Sequence, residues 1–248
     1  MILRRLSQSL KEQNWTAIAI EFVLLVLGVF LGIQVANWNA ERAEDARARM
    51  YLTRIQANLQ ADLESMRNRK IFWQQVIDYG DQAIGYAETR RHPDGSSWHS
   101  VLAFYQASQL WPWTSRSATY EELKSSGELG LIRDERLRDA LATYYTESTG
   151  QYLDYVFAIV PEYRKIVRGI TPSKVSGHVW TQCWKLVNSK DQRLLDCASP
   201  IPDAEAQAVL DGYLADPKLL SELRFWVANQ GVAMQLIGNN ERDVREML

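Results

Sequence analysis

Residues 16–36 read TAIAIEFVLLVLGVFLGIQVA, with a single acid, Glu21, and a single amide, Gln34. About 21 residues of this kind, wound as a helix, are long enough to cross a hydrocarbon core of about 30 Å. Leu, Ile, Val and Phe fill roughly 13 of the positions. At about −0.3 to −0.6 kcal/mol each they outweigh one acid costing about +3 kcal/mol at the bilayer centre. Glu21 also lies toward one end of the run, where that cost is smaller. Trp15 and Trp38 bracket the stretch as interfacial anchors do. The run exceeds the roughly 7–15 apolar residues of a cleaved signal peptide, and the GIQVANWNAER that closes it offers no good A-x-A cleavage site. The expectation is a retained transmembrane anchor over 16–38, preceded by a tail over 1–15.

Inside the run, Gly28 and Gly32 are spaced by four. At roughly 100° per residue, Glu21 lies about 20° short of two turns before Gly28 and about 20° beyond three turns before Gly32. Ala17 lies one turn before Glu21, and Ala36 one turn after Gly32. Ala17, Glu21, Gly28, Gly32 and Ala36 therefore form one stripe of small residues carrying one acid, within a sector of roughly 100°. Leu24, Val26, Phe30 and Gln34 fall outside it. Gly-x-x-x-Gly lets two helix backbones approach closely in lipid, and an acid on that face meets a partner helix rather than lipid tails. Two readings stand: association through the stripe, or glycines that are merely common in membrane helices with a Glu21 that snorkels to the headgroups.

Lys and Arg on either side of the run, Arg4, Arg5 and Lys11 before it and Arg42, Arg47, Arg49 and Arg54 after it, do not fix orientation by count. Long domains translocate largely regardless of charge, whereas a short basic tail stays inside. Cys183 and Cys197, the only cysteines, close a loop of about 15 residues whose disulfide would contribute roughly 3 kcal/mol in the chain-entropy model. The spacing does not match C-x-x-C redox or zinc motifs. A disulfide fits an oxidising compartment, and hence a cytoplasmic N-terminus with the bulk of the chain outside. The alternative is two unrelated buried thiols.

The 248 residues carry a net charge of −2, so no basic excess points to nucleic acid. Gly and Pro are scarce, at 13 and 7, which favours helices over a turn-rich β fold. The stretch ERAEDARARM, within 39–50, is charged and reads as a solvated helical stalk. Over 51–248 the pattern predicts an all-α domain, an antiparallel bundle of long helices. Leu52, Ile55, Leu59, Leu63 and Met66, then Trp73, Val76, Ile77, Ile84 and Ala87, recur at the three-four rhythm of one long helix. A Pro93-Asp94-Gly95 turn ends it. Ser97 is expected to cap a helix reaching about Leu110 and halted by Pro112. Ser117 is an expected N-cap and Gly127 a C-terminal stop. Asp134 would cap a long helix carrying Leu137, Leu141, Tyr144, Tyr145, Tyr152, Tyr155 and Val156, broken at Pro161. Residues 170–202 look irregular. Asp216 followed by Pro217 marks the start of a last helix running close to Leu248.

Two stretches, AIEFVLLVLGVFLGIQVANWNAERAED and TYEELKSSGELGLIRDERLRDALATYY, give the chain a likeness. It resembles a family of bacterial single-pass membrane proteins, a domain of unknown function. That family shares a Glu-led membrane helix ending in Gln-x-x-Asn-Trp-Asn, here Gln34, Asn37, Trp38 and Asn39. It also shares a segment here carried by Tyr120, Leu123, Ser126, Gly127, Leu129 and Ile132. The likeness covers about the first 145 residues. It implies a bacterial envelope protein, in the inner membrane with its main domain periplasmic, and supplies neither activity nor catalytic residue.

Chemistry is not written in the chain. His92, His99 and His178 are not spaced with Cys, Asp or Glu as metal ligands would be, and G-x-S-x-G, H-E-x-x-H, P-loop and G-x-G-x-x-G motifs are absent from the sequence. GELG reads as a helix stop and turn. Neither catalytic residue, cofactor nor metal is expected. Trp111, Trp113 and Tyr120 place aromatic rings near Arg116, and HVWTQCW adds Trp180 and Trp184. Such a set lines a ligand or partner surface, or else simply anchors a helical core. The functional expectation is an envelope scaffold or protein-interaction module, partnered by the lipid bilayer and by a second copy or another membrane protein. The alternative is a ligand-sensing ectodomain. With about fifteen residues ahead of the anchor, it would signal through a separate membrane partner.

Overall fold

The computed structural model describes residues 15–92, 95–147, 160–188 and 191–248. Arg4, Arg5, Lys11, the Pro93-Asp94 turn, Tyr152, Tyr155 and Val156 lie outside the described residues. The chain divides into two compact units, Met1–Thr53 and Arg54–Leu248.

One helix, α1 (Trp15–Thr89), runs through 75 residues. In the first unit most of its large apolar side chains are exposed: Phe22 is 66% exposed and Leu27 49%. This helix is long and apolar enough to cross a membrane. Beyond Asn39 the charged stretch stays helical and mostly exposed, and Arg42 lies over the Trp38 ring at 4.8 Å.

In the second unit the three-four rhythm buries Ile55, Leu59, Met66, Trp73, Val76, Ala83 and Tyr86. Leu52, Leu63, Ile77, Ile84 and Ala87 flank that seam, half-buried. Asp62 takes a place in the seam itself and is fully buried. The chain leaves the helix through Arg90 at φ 57°. α2 (Ser97–Ala107) is buried at every residue except His99, which makes it the central helix of the unit. It ends at Ala107 rather than Leu110, because the Ser108 and Gln109 N–H groups turn back to the carbonyls of Tyr105 and Gln106. Its N-cap is Ser96, and the Ser97 N–H is met instead by the Asp203 carboxylate at 3.0 Å.

α3 (Ala118–Ser125) follows Ser117, whose side chain makes no capping bond. At its other end Gly127, at φ 73°, donates to Lys124, and Glu128 donates to Leu123. This is the paired C-terminal bond pattern that a left-handed residue allows, and glycine adopts that conformation at no steric cost. α4 (Glu135–Ala142) starts where expected: the Asp134 carboxylate accepts from the Leu137 N–H at 3.2 Å. It passes into a π-turn over Thr143–Glu147, the last described residues before 160. Pro161 then stands before α5 (Glu162–Ile170).

Residues 170–202 are not irregular. They hold α6 (Ser173–Gln182) and an antiparallel hairpin, β1 (Trp184–Asn188) with β2 (Asp191–Leu194), in the register Trp184 to Leu194. Gln75 holds the hairpin to α1, donating to the Leu194 carbonyl at 2.8 Å and accepting from its N–H at 3.0 Å. α7 (Asp203–Ala215) was not expected; Asp203 and Glu205 sit in its first turn, where acids favour the helix N-terminus. α8 (Leu219–Met247) begins two residues after Pro217, with the Asp216 carboxylate accepting from the Lys218 N–H at 2.8 Å.

The class is all-α. Among the described residues only α1 and α8, at 75 and 29 residues, are long, and they run antiparallel: Gly80 meets Val227, and Lys70 meets Glu241 at 3.0 Å. The other described helices are short, and α5 and α7 pack against α2.

Candidate functional site

The aromatic set of the sequence reading is held from α1. The Trp73 indole donates to the Trp111 carbonyl at 3.0 Å, and Phe72 meets the Trp111 ring edge-on at 5.3 Å. The Arg69 guanidinium lies 3.3 Å over that ring while its Nε donates to the Pro112 carbonyl at 2.8 Å. Burial lowers the Arg69 pKa to about 10. Trp113 is 1% exposed and Tyr120 3%, so these rings are core. As a ligand or partner surface, the set of Trp111, Trp113, Arg116 and Tyr120 is therefore corrected: of the four, only the Arg116 side chain is substantially exposed.

Beneath this segment lies the one feature that hydrophobic rhythm hid. The Asp62 carboxylate accepts from the Arg116 backbone N–H at 3.2 and 3.1 Å and from the Tyr144 hydroxyl at 2.8 Å. Burial raises its pKa, and those donors together with the Arg116 charge pull part of the way back. Tyr144 titrates well above an ordinary tyrosine, through burial first and then the Asp62 charge. Tyr120 stacks on Tyr145 at 4.9 Å, and Glu122 takes a two-pronged contact from Arg54 at 2.6 and 3.2 Å. The cluster ties α1, the 111–117 segment, α3 and α4 together. It contains neither a nucleophile nor a base aimed at open space.

Two clefts stand out among the described residues, the first reaching Tyr144 of this cluster and the second apart from it. One of about 580 Å³ is bounded by Asp134, Leu137, Thr143, Tyr144, Asp243 and Glu246. A smaller one of about 300 Å³ is lined by Gln75, Asp78, Tyr79, His99 and Asp196, with His99 and Asp196 3.3 Å apart. Burial, and then the Asp196 charge, push the Tyr79 hydroxyl up to about 12. Trp111, Trp113, Arg116 and Tyr120 line neither cleft.

Cys183 and Cys197 are bonded to each other, 14 residues apart with Cα atoms at 5.3 Å. The bridge closes the base of the hairpin. The fold also brings His178 to the pair, with the three ligand atoms within 4.8 Å of one another. Sequence spacing missed this because Cys197 reaches His178 only after the hairpin has turned back.

Ala17, Glu21, Gly28, Gly32 and Ala36 all lie on α1. A Cβ built on Gly28 or Gly32 meets nothing within 4 Å. Glu21 is half-buried, and its Oε2 is shielded without a hydrogen-bond partner.

Comparison of the chain with protein-family models, with curated proteins and with solved structures gives no match in any of the three.

Proposed function

We propose that this chain is a membrane-anchored envelope scaffold or protein-interaction module. Its N-terminus is cytoplasmic, its anchor lies in the bacterial inner membrane, and the domain after Asn39 is periplasmic. The observation that carries the reading is the contrast within one helix. The side chains around Phe22–Val35 are about half exposed, while Ile55 to Tyr86 on the same helix are packed to 3% exposure or less at the seam. An apolar surface of the first kind is covered by lipid or by another helix. The disulfide and the resemblance to bacterial single-pass membrane proteins support the outward placement of the second unit. The stripe of Ala17, Glu21, Gly28, Gly32 and Ala36 is the surface through which a second copy or a membrane partner packs.

A fusion of alkaline phosphatase to the C-terminus is expected to be active, and a cytoplasmic reporter at the same position silent. The reverse pattern rejects the topology. The alternative, a ligand-sensing ectodomain acting through a separate membrane partner, draws support from the cleft beside α4. A thermal-shift screen that finds a ligand lost on substitution of Leu137 favours it over the scaffold.

A further inference from the structure

We propose that Cys183, Cys197 and His178 form a redox-gated site for a soft divalent cation of the zinc class, closed while the disulfide is intact and open once it is reduced. Three observations converge on this. The ligand atoms lie within 4.8 Å of one another. Zinc holds thiolate sulfur at about 2.3 Å and imidazole nitrogen at about 2.0–2.1 Å, so three ligands on one ion stand roughly 3.5–3.8 Å apart. Cα atoms 5.3 Å apart already suit that spacing, and the sulfurs separate by side-chain rotation without a backbone change.

The second observation is that the backbone at both cysteines is fixed independently of the sulfurs. The Cys183 carbonyl accepts from the Leu195 N–H at 2.8 Å and from the Gln106 amide at 2.7 Å. The Cys183 N–H closes the last turn of α6 onto Val179 at 3.0 Å. The Cys197 carbonyl accepts from the Trp98 indole at 2.7 Å. Cutting the S–S bond therefore leaves the backbone at both cysteines in place, and only the two side chains turn to bring the sulfurs to metal-ligand spacing.

The third is the state of the histidine. His178 Nε2 lies 2.8 Å from the Ala198 carbonyl, which can only accept, so the neutral tautomer that fits this bond has its proton on Nε2 and leaves Nδ1 for a metal. Metal-bound histidines have this arrangement, the outer N–H held by a carbonyl or carboxylate. Cys183 is buried, while His178 and Cys197 are half-buried, which leaves a path for the ion and for water as a fourth ligand.

Opening the site is a two-electron step. A thiol reductant supplies two electrons and two protons, converts the bridge to two thiols and leaves as its own disulfide. The cation then displaces both thiol protons to solvent and takes the two thiolates. The base of the hairpin is closed by sulfur–sulfur bonding in one state and by the metal in the other.

The test uses the full-length protein in detergent micelles, reduced with a phosphine so that the reductant does not compete as a chelator. It is titrated with Co²⁺, which reports tetrahedral thiolate binding through near-ultraviolet charge-transfer and visible bands. The reduced protein is expected to saturate at one equivalent, and Zn²⁺ to bleach the signal. The oxidised protein is expected to show none. His178→Ala should weaken Co²⁺ binding by about 10-fold or more. Cys183→Ser with Cys197→Ser should abolish it, and His99→Ala should leave it unchanged. A reduced protein without the bands overturns the proposal. So does an undiminished affinity in His178→Ala, or a loss of helical circular dichroism on reduction that Co²⁺ does not restore.

Discussion

Asp62 shows what one buried carboxylate does to this domain. It stands in the apolar seam of α1 because two donors from distant segments, the Arg116 N–H and the Tyr144 hydroxyl, converge on it. Removing the acceptor strands both, at a cost of about 1–3 kcal/mol for each donor left unsatisfied. Asp62→Ala should therefore destabilise more than Asp62→Asn, which keeps an acceptor oxygen. The pH dependence follows from the direction of the shift. Burial raises the folded-state pKa above the ordinary 3.8. The protonated form is thus favoured on folding: this contribution is fully present below the unfolded pKa and is lost as pH rises through the folded one. Relative to Asp62→Asn, the wild-type protein should gain stability as pH falls from 7 toward 4. Urea unfolding of both at the two pH values measures the gap, and a gap moving the other way rejects the assignment. None of this was legible in the sequence. An acid within a three-four rhythm reads as a surface position, and its partners lie 54 and 82 residues further along the chain. The same holds for Trp111 and Trp113, where rings beside an arginine left both pocket and core open. The choice was made by Trp73 and Arg69, which no local pattern connects to them.

Between elements, α1 and α8 approach closely at Gly80. A Cβ there would lie 2.3 Å from Val227 Cγ2, well inside contact distance. Gly80→Ala should cost about 1–3 kcal/mol by overpacking. Adding Val227→Ala frees the space, so the double variant should be less destabilised than the sum of the two singles. Strict additivity in thermal unfolding would show that the helices meet elsewhere. On the apolar part of α1, Gly28 and Gly32 meet nothing among the described residues. If the stripe packs on a partner helix, Gly32→Ile should disrupt association in a membrane two-hybrid assay on residues of about 12–40, and Phe30→Ile should not. Equal signals would make the stripe incidental. Element boundaries were legible where the chemistry is local. Asp134 caps α4, and Gly127 stops α3, as their residue types require. The hairpin was not legible. β1 is exposed along Lys185–Asn188 and so shows no alternation, and its pairing with β2 is fixed by a disulfide and by Gln75 of α1. α7 carried a usable signal in Pro202-Asp203, which the residues around the cysteine loop obscured.

For the molecule as a whole, the division at Thr53 separates the unit with the long apolar run from the packed domain. The free energies differ in kind. Roughly 13 large apolar residues at about −0.3 to −0.6 kcal/mol each give the first unit about −4 to −8 kcal/mol for insertion, against about +3 for Glu21. The second unit hides its apolar residues around α2 and exposes mainly single ones, such as Phe225 at 66%. Single exposed residues are ordinary on a soluble surface. Membrane attachment should therefore reside wholly in the first unit. A chain starting at Asn39 keeps the charged stretch and every buried residue of the second unit, and loses the whole apolar run. It should be recovered in the soluble fraction with helical circular dichroism and a cooperative thermal transition, while the full chain resists extraction of membranes by alkaline carbonate. The shortened chain must also retain the Cys183–Cys197 bridge when made in an oxidising compartment, which mass mapping without reduction would show. If it still sediments with membranes after the carbonate wash, the second unit holds the bilayer by a surface of its own, and α1 is not the sole anchor.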